Sequence, residues 1–108
     1  MRVIWLDNAA KQLDSVYEFL AQDSPVAAGD IYNTIIEETD KLTAFPEMAP
    51  VEASLVDAPY SYRALIVKRV YKVIYRFNSA KEEIIVVSVW DCRQEPKALS
   101  RKILQKKR

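Results

Sequence analysis

Apolar residues recur along this chain with two different periods, and the change of period divides it near its middle. A short apolar run, Arg2–Leu6 (RVIWL), suits a strand. Leu13, Val16, Tyr17 and Leu20 then follow at helical spacing, with Lys11, Asp14 and Glu18 off the stripe. Asp7 or Asn8 is expected to cap this first helix, because either side chain can accept from amides of the first turn, and the helix should end near Gln22. Ser24-Pro25 restarts the pattern, with serine as cap and proline at the first helical position. A second helix carries Ala28, Ile31, Ile35 and Leu42 on one side, with Phe45 at its end, and Pro46 stops it. Gly29 costs that helix about 1 kcal/mol relative to alanine. Two helices so closely joined form an antiparallel helical hairpin.

From Tyr62 to Pro96 the period falls to two. Three runs rich in Val, Ile, Tyr and Phe read as strands: one ending near Val67, one at Val70–Phe77 and one at Ile84–Asp91. Along the middle run Tyr71, Val73, Tyr75 and Phe77 share one face, while Val70, Lys72, Ile74 and Arg76 share the other. The first set is expected in the core, the second facing solvent or a partner. Residues 46–61 hold three of the five prolines and no clear period, so they read as a loop with at most one irregular edge strand near Ala53–Val56. Lys68-Arg69 makes a tight hairpin without the Asn-Gly or Asp-Gly usual there, whereas Asn78–Glu82 has better turn chemistry. Beyond Pro96, Leu99, Ile103 and Leu104 suit a short helix ending in Lys106-Lys107-Arg108. The expected fold is α+β: β-α-α, then a three- to four-stranded antiparallel sheet with the helical hairpin on one face, in a single domain over residues 1–108.

Charge adds a polarity that the net value of +1 conceals. Residues 1–62 hold three Lys/Arg against eleven Asp/Glu, a net of −8, and residues 63–108 hold thirteen against four, a net of +9. Between Arg63 and Arg76 stand five cations and no acid. Either the halves complement each other within the fold, or the second half meets an anionic partner. No apolar run approaches the roughly 20 residues that cross a bilayer, and MRVIWLDNAA does not read as a signal peptide. Cys92 is the single cysteine, so an internal disulfide is excluded and a reducing cytoplasm is expected. Histidine is absent, which argues against a zinc site and removes the commonest general base. No cofactor is implied.

The order strand, helix, helix, sheet, together with Tyr62-Arg63-Ala64-Leu65, Val70–Tyr75 (VYKVIY) and Ser88–Pro96 (SVWDCRQEP), resembles the RelE/ParE toxin superfamily. Trp5 and the Leu42-x-x-Phe45-Pro46 segment extend the likeness over nearly the whole chain. The resemblance implies a RelE/ParE-like sandwich and the toxin half of a bacterial type II toxin–antitoxin (plasmid stabilisation) pair. Its partner would be a cognate antitoxin, through which alone operator DNA would be contacted.

The superfamily has two main activities. RelE-like members cut mRNA on the ribosome with cations on the sheet and, usually, a late tyrosine or histidine; cutting needs a group to activate the ribose 2′-hydroxyl and cations to stabilise the phosphorane. Arg63, Lys72 and Arg93 match the cations of such an endonuclease. The second expected basic residue is Leu65, and no tyrosine or histidine follows Tyr75. The resemblance therefore leans toward the ParE-like branch, whose members lack this set and are associated with inhibition of DNA gyrase, a binding rather than an enzymatic activity. Arg63, Lys68, Arg69, Lys72, Arg76 and Arg93 are the expected contacts to antitoxin or target, the plain alternative being a solvated sheet face. Trp90 and Tyr75 are expected in the core. Cys92 is expected to be a small buried hydrophobe, since no base accompanies it.

Overall fold

The computed structural model describes residues 1–92. It has the order β1 (Arg2–Trp5), α1 (Asp7–Ala21), α2 (Pro25–Asp40), β2 (Arg63–Val67), β3 (Tyr71–Asn78) and β4 (Glu83–Asp91), with 3₁₀ turns at Lys41–Thr43 and Ala53–Leu55. The four strands form one sheet in the order β1-β4-β3-β2. β2, β3 and β4 run antiparallel, and β1 joins β4 in parallel at the edge, Val3 opposite Ile84 and Trp5 opposite Val86. Arg2 fastens that edge through an ion pair to Glu83 at 2.8 Å.

The helices form where the periodicity puts them. Ser24 caps α2, its hydroxyl accepting from the Ala27 amide at 3.1 Å, with Pro25 at the first helical position. α1 begins differently from expectation. Leu6 occupies the cap position without a side-chain bond, and Asp7 is already helical. There its carboxylate offsets the positive end of the helix dipole instead of capping an amide. The hairpin packs Leu13, Ile35 and Leu42 onto Val73, Tyr75 and Val86 to make the larger core cluster. Phe45 does not join it. The chain turns away after Thr43, and Phe45 is exposed above a shallow apolar cleft shared with Pro46, Met48 and Phe77.

β3 and β4 change register between Ile74 and Tyr75, where Ile74 faces Ser88 and Tyr75 faces Val86. The additional β4 residue leaves polar groups that the ladder cannot pair. Gln12 of α1 supplies the missing acceptor: its Oε1 receives the Val89 amide and the Ser88 hydroxyl, each at 2.9 Å.

The second face of the sheet departs most from expectation. It is not open. Residues 50–62 cross it as an irregular strap, burying Leu55 and Tyr62 against Ile74, Ile85, Val87 and Trp90. Ile74 is fully buried. The edge strand expected near Ala53–Val56 is instead a 3₁₀ turn begun by Glu52, which accepts from the Ser54 amide. Only Val51 pairs with the sheet, by a single bridge to Arg63. Val70 also differs: it ends the β2–β3 turn and packs toward the helix side. The helix expected around Leu99–Leu104 lies outside the described residues.

Candidate functional site

Among the described residues, the cations between Arg63 and Arg76 are separated by the sheet itself. Arg63 stands opposite Tyr75 in the ladder and therefore shares the helix-side face with it. Its guanidinium donates to the Ala49 carbonyl at 2.7 Å and to that of Glu47 at 3.3 Å. Tyr75 donates its hydroxyl to the Pro46 carbonyl at 2.7 Å, and burial raises the pKa of that phenol. The two side chains together hold residues 46–49 to the sheet.

Lys72 and Arg76 project from the other face, beneath the strap. The Lys72 ammonium meets Glu52 at 2.8 Å, with side-chain exposures of 25% and 6%. The other Glu52 oxygen accepts from the Ser54 amide and hydroxyl at 3.1 and 2.6 Å. Burial alone would raise the Glu52 pKa, but Lys72 and Ser54 outweigh it and hold the carboxyl below its ordinary value. Arg76 lies over the Tyr60 ring, 4.1 Å from its centroid, and Tyr60 packs edge-on against Tyr62 at 6.2 Å. The Arg76 Nε is buried without a hydrogen bond among the described residues.

Lys68 and Arg69 form the tip of the β2–β3 hairpin. The Val70 amide closes the turn on the Val67 carbonyl at 3.2 Å. Both residues have positive φ, 56° and 60°, as a hairpin turn of the I′ kind requires. Neither is the glycine or asparagine that adopts this backbone cheaply, so each costs about 1 kcal/mol or more. Both side chains are exposed, and neither makes an ion pair with a described residue. Ile66, nearly half exposed, lies two residues before Lys68.

The structure thus does not bring the six expected contact residues into one basic face. Arg63 is on the opposite side of the sheet from Lys72 and Arg76, Lys68 and Arg69 are at the tip, and Arg93 lies outside the described residues. Three partners were missed from the sequence: Glu52, Tyr60 and the carbonyls of residues 47–49. No spacing signals them, because they belong to the segment without a period. Trp90 and Tyr75 are buried, as expected. Cys92 is half-buried, and burial raises its thiol pKa, which suits an unreactive position.

Comparison with known proteins agrees with this architecture. No curated protein matches the chain. Nine chains among solved structures do. One, described as "Chromosomal ParDE TA system from P. aeruginosa", superposes with a TM-score of 0.67 at 20% identity, covering 84% of this chain and 95% of its own. At that identity the likeness concerns the fold. The family described as "ParE toxin of type II toxin-antitoxin system, parDE" matches residues 3–96. From the N-terminal strand to Pro96, then, this chain belongs to the ParE toxin family of type II toxin–antitoxin systems.

Proposed function

We propose that this toxin acts in the cytoplasm by gripping a target such as DNA gyrase, and that a cognate antitoxin neutralises it by occupying the same exposed basic turn, Lys68-Arg69. The carrying observation is how the described cations between Arg63 and Arg76 are committed. Phosphodiester cleavage needs unpaired cations converging on one phosphate. Here Lys72 is neutralised by a buried carboxylate, and Arg63 binds carbonyls on the other side of the sheet. Lys68 and Arg69, exposed and held in a strained turn, are instead available to the carboxylates of a protein partner. Among the described residues no helix is long and apolar enough to cross a membrane, in keeping with a cytoplasmic target.

Two assays with the purified full chain test the reading together. Supercoiling by DNA gyrase should fall as toxin is added and recover when the cognate antitoxin is added in equal amount. Primer extension on translated mRNA should show no new 5′ ends. Replacing Lys68 and Arg69 by glutamate should weaken inhibition about tenfold, the effect of losing roughly 1.4 kcal/mol of interface energy. Specific mRNA cleavage with undisturbed supercoiling would overturn the proposal in favour of a ribosome-dependent endonuclease.

A further inference from the structure

The helical hairpin carries a second surface of opposite sign. No Lys or Arg occurs between Lys11 and Lys41, whereas seven Asp and Glu do. Near the middle of the hairpin Asp14, Tyr17 and Glu18 of α1 and Tyr32 of α2 line a shallow groove of about 380 Å³. The two rings meet edge-to-face with centroids 6.0 Å apart. Tyr17 is more than one-third exposed, and neither phenol hydroxyl bonds to a described residue. Asp14 and Glu18 are exposed, and neither pairs with a cation among the described residues, Lys11 included.

We infer that this groove binds an arginine side chain of a partner protein. Two observations of different kind converge on a cation. A tyrosine face attracts a cation through its ring quadrupole, and carboxylates one helical turn apart supply its counter-charge. Guanidinium fits both at once, because it is planar enough to stack on a ring while its fork of N–H groups donates to a carboxylate in two parallel bonds. An ammonium is a compact, strongly hydrated point charge and satisfies only one of these geometries at a time. The groove is also shallow and open rather than enclosing, which suits a single anchoring side chain set in a wider contact. The hairpin and the basic turn Lys68-Arg69 therefore recognise opposite charges, and the groove does not depend on the target proposed above.

The test is a titration of the full chain, followed by amide and tyrosine-ring NMR shifts. The probes are three capped dodecapeptides: alternating arginine and alanine, the same with citrulline for arginine, and the same with lysine. Shifts at Asp14–Glu18 and Tyr32 are expected with the arginine peptide, with none from citrulline and several-fold weaker binding from lysine. Asp14→Asn with Glu18→Gln should weaken arginine-peptide binding about tenfold while leaving the rest of the spectrum unchanged, which separates lost binding from lost fold. Gyrase inhibition by this variant should match the parent. Equal binding of the citrulline peptide would overturn the assignment, as would shifts spread over every acidic residue of the hairpin. Displacement of the arginine peptide by spermidine at equal charge concentration would also overturn it, since the groove would then be a site for free polyamines.

Discussion

The two faces of the sheet are covered in opposite ways. On one, two amphipathic helices lay aliphatic side chains over Val73, Tyr75 and Val86, with Gln12 on Ser88 and Val89 as an uncharged polar contact. On the other, an irregular strap holds its place by a carboxylate on Lys72 and a tyrosine ring under Arg76, around a smaller apolar centre. The first cover is non-directional and scales with area. The second depends on a few directed bonds, so it should respond to single charges and to pH where the first does not. Among the described residues, the sheet is therefore buried on both faces with helices on only one.

The sharpest way to break the comparison is to damage each cover separately. Ile35→Ala, in the fully buried helix-side core, should cost about 3 kcal/mol in urea unfolding, with little dependence on pH. Lys72→Met should cost less, about 2 kcal/mol at neutral pH, because it leaves the Glu52 carboxylate buried without its cation. Glu52→Gln should cost about 1 kcal/mol, since Lys72 is exposed enough to be solvated when its partner loses charge. Equal losses from these last two would show that the pair is not asymmetric in burial. The pH dependence follows from the lowered pKa of Glu52. A carboxyl depressed on folding contributes stability above its unfolded pKa and loses it as pH falls through the folded one. Stability should thus decline from about pH 4.5 downward, and Glu52→Gln should remove that share of the decline. The smallest effect belongs to neither cover. Lys68→Asn with Arg69→Gly should raise stability by about 1 kcal/mol net, the relief of the left-handed turn being partly offset by the greater backbone freedom glycine loses on folding, as thermal unfolding would detect.

The helix side was legible because its signals are local. Leu13, Ile31 and Ile35 repeat at helical spacing, and Ser24-Pro25 marks a helix start that the Ser24 hydroxyl confirms. The alternation along β3 correctly placed Tyr71, Val73 and Tyr75 toward the helices. The same alternation assigned Ile74 to an open face, because period two reports that two faces exist and not what lies over each. The strap pairs Glu52 with Lys72, twenty residues away, through a turn that has no pattern of its own. Arg63 was grouped with Lys72 by charge and nearness in sequence, whereas the ladder, which fixes its face by register with Tyr75, separates them.

The parallel pairing of β1 with β4 also sets a schedule. Residues 2–5 are made well before residues 83–86, yet these are their ladder partners. β4 is also the strand that α1 and β3 both pack against. The β2–β3 hairpin can close on itself, but the sheet has no centre until β4 leaves the ribosome. At synthesis rates of about 5–20 residues per second, roughly 4–16 s separate the two strands. For that interval the nascent chain carries the toxin's residues without the toxin's surface, so its activity lags its synthesis by a time that the place of β4 in the sequence sets.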